Sequence, residues 1–235
     1  MGIFLLTGVV TNGLAIVVGS LLGVLLRNIS EEMKETVTKG IGLGVVTLGI
    51  QMAIEAQSFI FIIMSLSIGA LIGEALKIED AMNHLGLLLQ KHFSKSESTF
   101  AEGFVTASLI FVIGSLSIIG SIQSGVNGDH ETLFTKAVMD GFMAIMLTAS
   151  FGYGVLFSFI PVVLYQGSIA ILANFLVQLI SPAFMDQLMN EISAIGGLMI
   201  LGIGLNVLQI TKLRVSNFLP GIIVLIVLLS IKVAI

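Results

Sequence analysis

The stretch GFMAIMLTASFGYGVLFSFIPVVLYQGSIAILANFLVQLISPAFM (residues 141–185) runs for 45 residues without an Asp, Glu, Lys or Arg. As one helix it would be about 67 Å long at 1.5 Å per residue, roughly twice the ~30 Å hydrocarbon thickness of a bilayer. It therefore has to fold back, and Gly152, Gly154 and Pro161 are the residues able to break the helix. The fold class that follows is an all-α, polytopic helical membrane protein.

The composition agrees. Of 235 residues, 56% are hydrophobic and 10% charged, with a mean hydropathy of +1.11. A soluble domain carries about 25% charged residues, so this chain lacks the charge to cover a water-facing surface. That excludes a soluble enzyme, a nucleic-acid binder and a disordered chain. The absence of cysteine removes disulfides, thiolate metal sites and cysteine nucleophiles together. No phosphate-binding glycine loop, nucleophile elbow or histidine–glutamate zinc motif is present, and His84, His92 and His130 are scattered. The expectation is a protein that is not an enzyme, with no cofactor, no metal and no nucleic-acid partner. Its partners would be the lipid bilayer and a small ion or solute.

Charge-free stretches predict about eight transmembrane spans, near 4–26, 38–55, 58–77, 102–124, 134–158, 160–180, 190–209 and 216–235. Seven result if the segment around Glu55 is re-entrant. These make one integral membrane domain over 1–235. The N-terminus has no basic n-region and runs into a span, which reads as a helix rather than a signal peptide. With both termini outside, the inner loops receive Arg27, Lys34, Lys39, Lys77, Lys91, Lys95, Lys212 and Arg214, leaving Lys136 and Lys232 outside. That asymmetry satisfies the positive-inside rule. In the loop 77–102, Ile78, Met82, Leu85, Leu88 and Leu89 recur at helical spacing opposite Glu79, Asp80, Asn83 and Lys91. This predicts an amphipathic helix over 78–93 on the cytoplasmic side. The loop 27–39, with balanced charge, reads as a solvated turn.

Polar residues inside the spans are the candidate site, because an amide or carboxyl facing lipid is costly and should turn inward. Thr47, Gln51 and Glu55 step by four along span 2. Ser117, Ser121 and Ser124 line one face of span 4, and Gln166, Asn174 and Gln178 one face of span 6. Asn12 lies on a small-residue stripe with Gly8, Ala15, Gly19 and Gly23. Lys136 and Asp140 are opposite charges at i, i+4 within a span, able to pair on one face. Asp129 can cap the helix that follows the Gly125–Asp129 turn, with Gln123 and Asn127 at the same mouth. A polar transport path would thus draw on Asn12, Thr47, Gln51, Glu55, Ser117, Ser121, Gln123, Asn127, Asp129, Lys136, Asp140 and Gln166. Glycine- and serine-rich faces, such as Ser65, Gly69 and Gly73, suit close helix packing and would also serve a homo-oligomer.

Two internal matches compete. Ile41-Gly42 with Leu48-Gly49-Ile50 resembles Ile195-Gly196 with Leu201-Gly202-Ile203, which would make spans 1–3 and 6–8 an inverted repeat. Asn12-Gly13 against Asp140-Gly141 would instead pair spans 1 and 5 in parallel.

Four segments together resemble a known family: Gly69-Ala70-Leu71-Ile72-Gly73-Glu74, the run from Gly114-Ser115 to Gly125-Val126-Asn127-Gly128-Asp129, the following Lys136 and Asp140, and Ala194-Ile195-Gly196-Gly197. The chain is similar over its length to the bacterial multi-pass membrane proteins grouped as domain of unknown function 554. The resemblance implies a protein of the bacterial cytoplasmic membrane, of a kind often described as a transport protein. It implies no substrate. The functional expectation is a permease for a small ion or polar solute, with Glu55 and Lys136–Asp140 as candidates for proton coupling. An uncoupled channel, or a scaffold or sensor acting through the 77–102 loop, are the alternatives.

Overall fold

A computed structural model of the protein describes residues 6–26, 30–93, 99–179 and 181–234. Among these the chain is helical throughout: α1 (Thr7–Leu25), α2 (Glu31–Ala53), α3 (Phe59–Leu76), α4 (Ile78–Phe93), α5 (Phe100–Val112), α6 (Ser115–Asn127), α7 (Glu131–Phe151), α8 (Phe159–Leu179), α9 (Pro182–Val207) and α10 (Pro220–Ala234). Short 3-10 segments, Gly152–Ser158 and Val215–Phe218, precede α8 and α10. Six helical runs are long and apolar enough to cross a membrane, or up to seven when the bent pair α5–α6 counts as one. The sequence gives a higher number because the structure is continuously helical over Glu131–Ala173, so that 43-residue run counts once.

The described residues form two compact units, Met1–Thr38 with Leu85–Ser181 and Lys39–His84 with Pro182–Ile235. In the first, α1 packs along α7 with the chains parallel: Gly8 lies against Leu133, Gly19 against the Gly141 carbonyl and Gly23 against the Ile145 carbonyl. Along α8 the direction reverses, with Gly13 against Val163 and Gly167 near Leu6 and Val9. The run Glu131–Ala173 is therefore a hairpin, folded back at the 3-10 segment as its length requires. Gly152, at φ 82°, starts that segment, and Gly154 sits directly on the Phe100 carbonyl. Val9, Leu133 and Ala170, all buried, form the apolar core where these helices meet.

The span expected over 102–124 is a broken helix. α5 stops at Val112 and α6 starts at Ser115, bent by 61°. Gly114 makes the break at φ 144° and ψ 147°, a backbone conformation essentially confined to glycine.

In the second unit, α2 and α9 run antiparallel, with Gly42 against Leu208, Gly49 against Gly197 and Leu201, and Gly204 against Val46. The two stretches compared as repeats in the sequence thus pack on one another; the fold does not show the inverted repeat itself. α3 and α10 also run antiparallel, with Gly69 on Gly221 and Gly73 on the Asn217 carbonyl. α9 is buried on every side from Glu191 to Gly197, as expected of a helix apolar all round.

Two expectations are corrected. The loop 27–39 is not a solvated turn over most of its length, since α2 begins at Glu31. The Ser30 hydroxyl accepts a 3.3 Å hydrogen bond from Met33 N–H and starts the helix early. The glycine faces named for a homo-oligomer are also taken up within the chain, because Gly8, Gly19, Gly23, Gly69, Gly73, Gly197 and Gly204 all meet neighbouring helices. Backbones can approach this closely only where no Cβ intervenes.

Candidate functional site

The first unit gathers four polar side chains from three helices in its interior. Asn12 on α1 donates from Nδ2 to Asp140 Oδ2 at 3.0 Å and to Gln166 Oε1 at 3.2 Å. Lys136 Nζ reaches the same Asp140 oxygen at 2.5 Å. All four residues are buried, Asn12 and Gln166 completely. Their spacing explains the meeting: Lys136 and Asp140 are one helical turn apart on α7, and the parallel packing of α1 brings Asn12 to them.

The amide orientations follow from this contact. Reversing Asn12 would set its carbonyl against the Asp140 carboxylate, and reversing Gln166 would set two amide nitrogens face to face. One acceptor, Asn12 Oδ1, and one donor, Gln166 Nε2, are left buried without a hydrogen-bond partner. Such atoms are costly unless a polar guest satisfies them. A buried ion pair is itself a poor source of stability, because desolvation offsets its attraction. Here the pair is one part of a polar cluster with hydrogen-bonding capacity to spare.

An open cleft of about 350 Å³ lies at the turn between α6 and α7, lined by Leu116, Gln123, Asp129, Glu131, Thr132 and Thr135. Thr132 donates to Gln123 Oε1 at 2.6 Å. Asp129 Oδ1 accepts Glu131 N–H at 3.1 Å from one position ahead of the N-cap of α7, which is His130 and not Asp129. Thr135 in the cleft is followed immediately by buried Lys136. From Thr132 to Asp140 is about 12 Å along the helix at 1.5 Å per residue.

The remaining expected residues are placed differently. Ser117 and Ser121 are buried, but their hydroxyls donate to the Phe111 and Ser117 carbonyls at 3.1 and 2.6 Å. They are satisfied along their own chain segment. Asn127 is exposed at the end of α6. Thr47, Gln51 and Glu55, expected to face inward, are exposed. The reason is that Gly42 and Gly49 occupy the buried face of α2, where the α9 backbone approaches, while the Thr47 hydroxyl bonds back to the Leu43 carbonyl at 2.9 Å. The side chains of Asn174 and Gln178 lie outside the described residues. Among the described residues no group of three or more His, Asp or Glu could hold a metal.

A family model described as "Protein of unknown function (DUF554)" matches residues 7–230. The chain belongs to that family. It is 35% identical over 222 residues to a Bacillus subtilis (strain 168) protein called "Uncharacterized membrane protein YdfK", covering 92% of this chain and 93% of the relative. It is 28% identical over 217 residues to an Escherichia coli (strain K12) protein called "Uncharacterized protein YqgA", covering 90% and 91%. No solved structure matches this DUF554 chain. It is a multi-pass membrane protein.

In this DUF554 chain the structure also brings forward a residue that the sequence pattern passes over. Glu191, on α9 in the second unit, is fully buried, and neither carboxyl oxygen has a hydrogen-bond partner. The signal was available, since no other Asp, Glu, Lys or Arg stands between Asp186 and Lys212. A charge next to an apolar run reads as the end of a span, however, and α9 instead begins nine residues earlier, at Pro182.

Proposed function

We propose that the protein is a permease of the bacterial cytoplasmic membrane for a small ion or small polar solute, with the Asn12–Lys136–Asp140–Gln166 cluster as its binding site. The observation that carries this reading is the convergence of these four side chains inside membrane-length helices, with Asn12 Oδ1 and Gln166 Nε2 still unpartnered. Intramembrane ionisable groups mark transport paths far more often than they serve stability. The cleft at the α6–α7 turn supplies an approach. Its two carboxylates, Asp129 and Glu131, favour a small cation or a neutral polar solute over an anion. The broken helix α5–α6 in the same unit is also a device that transporters use to expose backbone to a cavity. Proton coupling would run through Asp140, whose carboxylate trades its ion pair with Lys136 for a proton. The orientation puts both termini outside, as the basic residues favour.

The test is a flux screen in proteoliposomes over a panel of ions and small metabolites, with a proton-sensitive dye inside. Solute uptake that moves protons in the wild type and loses its proton dependence in Asp140→Asn supports the reading. Flux in Asp140→Asn with altered selectivity, and no proton movement in either protein, identifies an uncoupled channel. No flux across the panel counts against transport. A periplasmic reporter active at residue 95 would reverse the orientation.

A further inference from the structure

We propose that the Asn12–Lys136–Asp140–Gln166 cluster selects a neutral solute carrying a hydrogen-bond donor beside an acceptor, as a primary amide or an alcohol does, and rejects bare ions. This rests on the transport reading above and narrows it to one class of substrate. The two groups left open in the cluster are of opposite kind: Asn12 Oδ1 needs a donor, and Gln166 Nε2 needs an acceptor. They belong to side-chain amides joined by one 3.2 Å hydrogen bond, Asn12 Nδ2 to Gln166 Oε1, so both lie within reach of one small molecule. Beside Gln166 the packing has slack. A Cβ at Gly167 would meet nothing nearer than 4.0 Å, whereas one at Gly13 would be 2.5 Å from Val163.

Charge decides against an ion. Lys136 and Asp140 are one base and one acid in contact, so their charges sum to zero whether the proton sits on nitrogen or on oxygen. A cation that satisfies Asn12 Oδ1 leaves the Gln166 donor stranded, and an anion that satisfies Gln166 strands Asn12. The helices around the cluster supply no further charge to compensate: α1 and α6 carry none, and none stands between Asp140 and Asp186. Glu131, at the start of α7, is exposed, and the His130 ring is engaged by Ser124 at 2.9 Å. Thr11 and Tyr165, adjacent in sequence to Asn12 and Gln166, are only half-buried.

The α1–α7 seam continues in the same character. Ser20 and Thr148 are 128 positions apart, as Asn12 and Asp140 are, and stand about two turns further along the parallel pair. Both are fully buried, and neither hydroxyl has a partner. Ser108 and Ser121, by contrast, bond back to carbonyls one turn earlier at 2.6 Å. A hydroxyl both donates and accepts, so these open groups also suit a neutral guest.

The wild-type protein in proteoliposomes is offered acetamide, acetate, acetamidinium and acetone, which share one shape, and sodium and chloride, with the leak through protein-free vesicles subtracted. Acetamide is neutral with a donor and an acceptor; acetate and acetone have acceptors only, and acetamidinium donors only. Acetamide should cross faster than each of the others by about tenfold or more, since one stranded buried group is enough for that factor. Any of the others crossing as fast as acetamide overturns the inference and leaves the transport reading in place. Absence of flux for all of them overturns both. Gln166→Glu keeps the acceptor that Asn12 uses and exchanges the open donor for an acceptor, so acetamidinium should overtake acetamide. A folded Gln166→Glu protein with the wild-type order overturns the inference; if that variant does not fold, the wild-type order decides alone.

Discussion

Asn12 and Asp140 stand 128 residues apart in the chain and are joined by a 3.0 Å hydrogen bond inside the first unit. The bond depends on the parallel packing of α1 on α7, and it makes Asp140 the shared acceptor of Asn12 and Lys136. Two donors on one buried carboxylate orient it, and they leave the cluster sensitive to the loss of any one charge.

The first prediction uses that sensitivity. Asp140→Asn leaves the Lys136 ammonium buried without its counter-charge, and Lys136→Met does the same to Asp140. Removing one partner of a buried pair costs about 3–5 kcal/mol. The double variant has no uncompensated charge and should recover most of the loss. Thermal unfolding of the purified protein in detergent measures this. Single variants as stable as the wild type would show that the pair is not ionised.

The second prediction separates two residues of one network at the end of α3. Arg214 pairs with Glu74, but both side chains are 58% exposed. Asn217 is buried, donates to Glu74 Oε2 at 2.6 Å and accepts Glu79 N–H at 2.8 Å. Arg214→Ala should change stability by less than about 1 kcal/mol. Asn217→Ala removes two hydrogen bonds and strands their partners, at about 1–3 kcal/mol. Equal effects in the same unfolding measurement would overturn this ranking.

The parts of the fold legible in the sequence are those where length or charge leaves one solution. A 45-residue charge-free run must turn back, and it does so at the glycines available. Lys136 and Asp140 announce their pairing by spacing alone. Asn12 and Gln166 were each visible as polar residues in apolar helices, but their meeting across 154 positions is a property of packing. Periodicity identifies a face without saying which way it points. The spacing of the polar stripe on α2 points it inward, whereas glycine contacts with α9 decide its direction. Glu191 borders an apolar run, the position at which a charge ordinarily ends a span, whereas its helix begins at Pro182. The break at Gly114 was hidden because glycine is common throughout this chain.

The third prediction concerns close backbone contact. A Cβ at Gly154 would strike the Phe100 carbonyl, whose carbon would lie only 2.7 Å away, whereas a Cβ at Gly44 would have nothing within 4 Å. Gly154→Ala should thus destabilise by about 1–3 kcal/mol as an overpacked site. Gly44→Ala, inside α2, should stabilise by about 0.5–1 kcal/mol through reduced backbone freedom in the unfolded chain. The sign difference is readable as opposite shifts in melting temperature. A Gly154→Ala protein that melts with the wild type would mean that the 3-10 segment can move off α5.

The last prediction tests the broken helix directly. At φ 144° and ψ 147°, Gly114 occupies a region that side chains penalise by about 1–3 kcal/mol. Gly128, at φ 67° and with nothing within 4 Å of a Cβ, is left-handed without being crowded, and an alanine there costs about 1–2 kcal/mol. Gly114→Ala should therefore be at least as damaging as Gly128→Ala. It should also act on the bend itself, since an alanine at 114 favours helical backbone and pulls α5 and α6 towards one straight helix. A spin-label pair placed on exposed positions of α5 and α6 reads the change as a longer separation in Gly114→Ala and no change in Gly128→Ala. An unaltered separation together with an unaltered melting temperature would show that the break is imposed by packing around it and not by the glycine.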